Sequence, residues 1–452
     1  MVAPIDIIPN VCSISKQNRG SPMFNLNQFI SKYVIMRPQS MFLTDIGEHA
    51  SELCEAIENR SVLVIGGAGS IGSSFIKAIL PYKPRTLVIV DINENALTEL
   101  TRDLRSTPDQ FIPDDYLPYP MDYASPVFAR MFRARGGFDI VANFSAHKHV
   151  RSEKDIYSVE ALLSNNVIHA AGLLDLLSEY PPRAYFCVST DKAANPVNIM
   201  GASKRIMEDL IFSYSDRFPV KTARFANVAF SNGSLPAGFL ERIGRFQPLS
   251  APSDVRRYFV SPEESGQICM LSCMLGYNRN IFFPRLEEEQ MMTFDEIARR
   301  LLEEQGYRVL ECASDEEAIR RADELRQALI ADEAKADNPA YTSADISNAL
   351  RDPQNNRLLY PVHFSASDTS GEKQYEEFYT DMETVDLDRF RSLGVITDKP
   401  IPDRTQITDL ISELNTMFER HGTTKEDVVS AIKAYLPSFE HIETGRSLDG
   451  KM

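Results

Sequence analysis

The sequence predicts an α/β fold built on a doubly wound parallel sheet. Three observations carry this reading. Short apolar segments at 62–65, 86–90, 138–142, 184–188 and 220–224 alternate with helical stretches. A glycine-rich turn, Gly66-Gly67-Ala68-Gly69-Ser70-Ile71-Gly72, joins the first of those segments to a helix. The second segment ends on an acid, Asp91, 19 residues beyond Gly72.

The elements follow in order. Residues 45–60 read as an amphipathic helix, with Ile46, Leu53 and Ile57 on one face. Helices are expected at 70–80, 95–105, 164–179 and 201–213, between the apolar strands. After about residue 232, Pro and Gly become frequent and the strand signals less regular. Helices are expected at 294–304 and 315–335, a polar loop at 337–357, a strand at 358–364, and terminal helices at 405–420 and 425–435. The organisation expected is an N-terminal helical arm (1–60), a dinucleotide-binding domain (61–232), a smaller α/β substrate-binding part (233–400) with an inserted helical segment near 305–357, and a helical tail (401–452).

Composition narrows the function. Of 452 residues, 43% are hydrophobic and 25% charged, as in ordinary soluble globular chains. A net charge of −16 argues against nucleic acid or an anionic membrane surface as a general partner. No apolar run approaches the ~20 residues of a membrane span, and the first ten residues lack the layout of a signal peptide. The six cysteines are scattered without metal-ligand spacing. A cytoplasmic protein with reduced thiols and no metal is expected.

The glycine turn is the first candidate site. Glycine lets the backbone turn tightly beside a pyrophosphate, and the helix that follows offers free N–H groups and a positive dipole end. Gly66, Gly69, Ser70, Ile71 and Gly72 are therefore expected to hold a dinucleotide. Asp91 would bind a ribose 2′-hydroxyl and repel a 2′-phosphate, which favours NAD; Arg102 and Arg105 on the next helix leave NADP open. Asp122, after a candidate third strand, is placed to bind the adenine amino group.

The second candidate site is Ser189-Thr190-Asp191-Lys192, at the end of the 184–188 strand. Ligands of doubly wound sheets sit beyond the carboxyl ends of the strands, so these side chains are expected beside the reacting ring of the cofactor. Lys204 follows Met200 by four residues, so the two share a face of one helix. Lys204 can there hydrogen-bond the nicotinamide ribose and lower nearby pKa values.

At these residues the chain resembles the nucleotide-sugar 4,6-dehydratases of bacterial polysaccharide and glycan biosynthesis, in the extended short-chain dehydrogenase/reductase superfamily with its Rossmann-like fold. The resemblance is carried by GGAGSIG (66–72), NFSAHKHV (143–150), NN (165–166), STDKAANPVNIMGASKR (189–205), RFANVAFSNGS (224–234), RRYFVSPEE (256–264) and SGEKQYEEF (370–378). It covers roughly 60–300 and 360–395. Most relatives carry tyrosine four residues before the helix lysine; this chain resembles a branch with methionine there, Met200.

The resemblance implies a redox-neutral reaction on an NDP-N-acetylhexosamine, UDP-GlcNAc first among them. C4 is oxidised by bound NAD, water is eliminated across C5 and C6, and hydride returns to C6. It implies Asp191 as the acid for the C6 hydroxyl, Lys192 as the base at C5, and Thr190 or a water as the carrier of the C4 hydroxyl proton. Lys192 would need to be partly neutral, which burial beside Lys204 favours. The resemblance also implies that Ser145 and Ala146 lie at the cofactor, and that Lys148, Asn227, Arg257, Glu372 and Lys373 hold the nucleotide diphosphate or sugar. A homodimer or higher homo-oligomer is expected, with the N-terminal arm on a neighbouring subunit. Two other readings compete: an NDP-sugar 4-epimerase, against which Asp191, Lys192 and Met200 together argue, and a non-catalytic NAD-binding scaffold, for which Met200 is the sole support.

Overall fold

The computed structural model describes residues 24–148, 153–336, 350–367 and 376–442. Its centre is a nine-stranded sheet. The strands are β1 (Ser61–Ile65), β2 (Thr86–Asp91), β3 (Asp115–Pro120), β4 (Ile140–Asn143), β5 (Ala184–Thr190), β6 (Val220–Phe225), β7 (Ile281–Pro284), β8 (Thr384–Asp386) and β9 (Leu393–Thr397). Their order is β8-β9-β7-β6-β5-β4-β1-β2-β3. From β3 to β7 every neighbour pair is parallel, whereas β9 runs antiparallel to β7 and β8 antiparallel to β9. Val62 sits opposite both Leu87 and Ile140, so β1 has β2 on one side and β4 on the other. Chain direction along the sheet reverses there, and the crevice between β1 and β4 is the place where such sheets take ligands.

The central strands are apolar along their whole length, because both faces of a parallel sheet are covered by helices. Val62, Leu63, Val64 and Ile65 are all buried. The covering helices include α1 (Ser70–Ile79), α2 (Glu94–Ser106), α3 (Pro126–Arg135), α4 (Ile156–Leu163), α5 (His169–Glu179), α6 (Ile199–Phe212) and α7 (Pro262–Leu275). Asn93, Ser125 and Asn198 cap α2, α3 and α6 by accepting from Ala96 N, Phe128 N and Gly201 N. Such caps satisfy N–H groups that a helix start leaves without partners.

The expected helix at 164–179 begins earlier. α4 and α5 form one rod joined by a wider π turn at Ser164–Ile168, which carries Asn165 and Asn166. The helix expected at 45–60 breaks at His49 into Leu43–Glu48 and Ala50–Ile57. Leu53 and Ile57 are buried as the periodicity requires.

A second, smaller core surrounds a three-stranded sheet of Leu249–Pro252, Arg308–Glu311 and Leu359–Ser365. Phe29, Ile30 and Val34 pack into it beside Phe239, Leu301 and Tyr360, so this stretch of the N-terminal region packs on its own chain. The last helices, α8 (Arg404–Glu419) and α9 (Lys425–Tyr435), join the main core through Ile407, Leu410, Leu414, Val428 and Ile432. Among the described residues no helix is long and apolar enough to cross a membrane.

Candidate active site

The glycine turn leaves β1 and enters α1. Gly66 has φ +70°, a left-handed backbone that side chains resist. A Cβ there would also lie 2.7 Å from Ser145 N. The turn after β1 and the turn after β4 are thus in backbone contact, and only glycine permits it. No side chain caps the first turn of α1, which begins after Gly69. Ser70, Ile71 and Gly72 form that turn.

Asp91 closes β2 and turns toward the glycine loop. Its Oδ2 accepts from Ala68 N at 3.0 Å and its Oδ1 from Asn93 N at 2.9 Å. The acid and the loop it would serve are joined directly. Asp122 lies just beyond β3 and accepts from Ala124 N at 2.8 Å, organising the turn into α3. Beyond β4, Ser145 N donates to Asn143 Oδ1, and Ser145 Oγ donates to Asn165 in the π turn. Ala146 follows, and His147 N donates to Asn166 Oδ1 at 2.9 Å. Asn166 Nδ2 returns bonds to His147 O and Ser203 Oγ, each at 3.0 Å. One buried asparagine therefore ties the loop after β4 to α6. A flexible-looking Asn-Asn pair in the sequence gave little sign of that task.

These features fit a dinucleotide: a left-handed glycine, an uncapped helix start and an acid at the end of the next strand all face one crevice. NAD would be held by Gly66, Gly69 and the first turn of α1, with Asp91 at its ribose.

The reacting centre sits at the carboxyl end of β5. Thr190 Oγ1 donates to Asp191 Oδ1 at 2.7 Å, and Lys192 Nζ reaches the two carboxylate oxygens at 3.2 and 3.1 Å. Asp191 is buried. Burial opposes the charge on Lys192, but Asp191 and then Glu376 outweigh it and raise its pKa. The expectation of a partly neutral Lys192 is therefore corrected: two nearby carboxylates hold it as an ammonium.

Met200 and Lys204 lie in the first turns of α6, both buried. Met200 belongs to the main hydrophobic core. Lys204 Nζ donates to Val188 O at 3.0 Å, and burial brings its pKa down to about 8. α6 lies close to the reacting loop because residue 201 is glycine: a Cβ there would fall 2.6 Å from Lys192 O. Glu153 fixes the start of α6, accepting from Ile199 N at 3.0 Å and Met200 N at 2.8 Å. The C-terminal segment braces this corner. Lys425 Nζ donates to Glu153 O at 2.8 Å, and Ile442 N donates to Val197 O at 3.0 Å.

Beneath the loop lies a buried ionic network. Glu208 of α6 accepts from Ser189 Oγ at 2.6 Å and from Arg224 of β6 at 2.9 and 2.8 Å. Arg224 also donates to Phe378 O and to both oxygens of Glu383, which Lys399 engages from the other side. Burial works against the charges on Glu208 and Glu383, yet the cations hold both below the usual range, Glu383 at about 2.

Of the expected substrate-binding residues, Lys148 Nζ donates to Asn232 O at 2.9 Å, beside the start of α1, where Asn232 N meets Ser70 Oγ. Asn227 Nδ2 donates to Glu376, and Arg257 Nε lies 3.9 Å from the same carboxylate. Asn227, Arg257, Asp191 and Lys192 thus gather around one acid, Glu376, that sequence reasoning passed over. Glu372 and Lys373 lie outside the described residues.

The sequence profile described as polysaccharide biosynthesis protein matches residues 62–347. Similar curated proteins include an uncharacterised membrane protein of Methanocaldococcus jannaschii, 29% identical over 56% of this chain and 74% of that one. The probable polysaccharide biosynthesis protein EpsC of Bacillus subtilis is 25% identical over 62% of this chain, but the match spans only 46% of that longer protein. An inverting UDP-N-acetylglucosamine 4,6-dehydratase of Campylobacter jejuni is 26% identical over 50% of this chain and 67% of its own length. Among solved structures, Pen from Bacillus thuringiensis shares the fold at 18% identity, with TM-score 0.54 and coverage of 77% of this chain and 90% of that one. The profile takes in the glycine turn, the Asp191–Lys192 loop and the Arg257 strand, and with more than half of its residues matched the chain belongs to the polysaccharide biosynthesis protein family.

Proposed function

We propose that the protein is an NAD-dependent NDP-N-acetylhexosamine 4,6-dehydratase, with UDP-GlcNAc as the first substrate to try. One observation carries the reading: an acid and a lysine, hydrogen-bonded to each other and to a threonine, stand at the end of β5 next to the helix that bears Lys204. Water elimination needs two titratable groups with opposed tasks within reach of one sugar carbon pair. The dehydratase relative from Campylobacter supports the same reaction class.

When bound, NAD would supply the hydride acceptor for sugar C4 and the donor for C6. Lys192 takes the C5 proton, and Asp191 protonates the C6 oxygen as it leaves. Thr190 Oγ1 donates to Asp191, so it can pass the C4 hydroxyl proton to that carboxylate. Met200 has no proton to exchange and closes the apolar side of the site. Arg257 and Lys148 are the cations assigned to the diphosphate.

The test is incubation with UDP-GlcNAc in deuterated water. A 4-keto-6-deoxy product with one deuterium at C5 is expected. Product without deuterium at C5 removes the elimination mechanism, and C4 epimer as the sole product replaces the reading by epimerisation.

A further inference from the structure

Glu376 is a buried acid with no role in the reaction as assigned above. Its side chain is 2% exposed. Oε1 receives Asn227 Nδ2, and Oε2 receives Tyr258 N at 2.9 Å. The flanking chain is pinned on the reacting loop, with Asn195 Nδ2 donating to Glu377 at 3.0 Å and Arg224 donating to Phe378 O at 2.9 Å. The charged groups that act on Glu376 are Asp191, Lys192 and Arg257. Those that act on Lys192 are Asp191, Glu376 and Arg257. Two carboxylates and two cations thus share one water-poor corner.

We propose that Glu376 is a positioning residue of the reacting centre: its carboxylate, fixed by Asn227 and the Tyr258 amide, is the second anion acting on the Lys192 ammonium, and it controls when Lys192 is available as a base. The chemistry requires some such control. An ammonium held by two carboxylates cannot take a proton from C5. Asp191 is assigned to the C6 oxygen, so the other carboxylate is the one free to change state. Burial and the nearby Asp191 push Glu376 up to about 7, so it gains or loses its proton near neutrality. With Glu376 neutral, one of the two anions holding Lys192 charged is gone.

The inference rests on the dehydratase reading for its meaning, but its test needs no turnover. Lys192 side-chain reactivity toward trace acetic anhydride is measured by peptide mass spectrometry and divided by that of the exposed Lys433. At pH 8.5, E376Q is expected to raise this ratio up to about tenfold, since one pKa unit is a tenfold change in neutral lysine. E376D, which keeps the charge, is expected to stay within about twofold of wild type on the same reasoning. In the wild-type protein the ratio is expected to be higher at pH 6 than at pH 8, because protonating Glu376 releases Lys192. This measurement stands even if E376Q does not fold. A ratio flat from pH 6 to 8, or E376D rising as far as E376Q, overturns the proposal. A ratio that shifts as expected in a protein with no dehydratase product leaves the control of Lys192 intact and removes the substrate reading instead.

Discussion

The two ends of the crevice are built differently. At the cofactor end, Gly66, Ala68 and Asp91 come from one strand–helix–strand unit, and the groups that meet are within 23 residues of one another. At the sugar end, the loop 190–200 is held by Glu153, Glu376, Lys425 and Ile442, and Lys425 reaches Glu153 across 272 residues. The first end is a local device of backbone geometry. The second is a convergence of remote side chains, several of them charged and buried. Backbone devices tolerate few substitutions but need few partners; buried charges need every partner in place.

The largest effect that separates the ends is expected from D191N. Loss of the acid should lower turnover by about 10²–10⁴ while dinucleotide affinity, read by fluorescence titration, stays within about twofold of wild type. A matching loss of affinity would mean that the two ends are not separable.

R224M should come next. It leaves Glu208 and Glu383 buried without their main cation, which typically costs about 3–5 kcal/mol, measured as a shift in the urea midpoint. The same network sets an acid limit. Glu383 sits at about 2 when folded and near the ordinary glutamate value of ~4.3 when unfolded. Its stabilisation is therefore complete above about pH 4.3 and is lost as the pH falls toward 2. Near-UV circular dichroism should show wild-type tertiary structure weakening across that window and not above it.

Paired glycine substitutions sharpen the contrast further. G66A forces a left-handed alanine against Ser145 and should weaken dinucleotide binding. G201A pushes α6 away from Lys192 O and should cost about 1–3 kcal/mol by overpacking, with turnover reduced and dinucleotide affinity kept. The smallest change is expected from D91N, which keeps shape but removes charge: about tenfold weaker NAD, or ~1.4 kcal/mol, with relative tolerance of NADP improved.

How far the sequence revealed each end follows from the same contrast. The glycine turn, Asp91 and the alternating strands were legible because their signals are short-range. The Asp191–Lys192 pair was legible because it follows a strand directly. Glu153 was not: it lies in the charged stretch Arg151-Ser152-Glu153-Lys154-Asp155 and looks like a surface acid. Glu376 carried a faint signal as one of three glutamates within 372–377, but nothing local says which one is buried. The strands β7, β8 and β9 were missed because each is at most five residues long, and the antiparallel pair at the sheet edge breaks the strand–helix rhythm. The charge state of Lys192 was misjudged because its second anion comes from 184 positions away.

The bond from Ile442 to Val197 has a consequence for the order of assembly. The glycine turn can form as soon as its own strand and helix exist. The reacting loop cannot reach its final braced arrangement until a segment some 245 residues later has been made and docked. Closing so long a loop is slow relative to forming local contacts. A nascent or freshly diluted chain should therefore acquire its cofactor crevice first and its sugar-handling corner last. The protein would pass through a stage in which the dinucleotide can be taken up while the chemistry is still withheld.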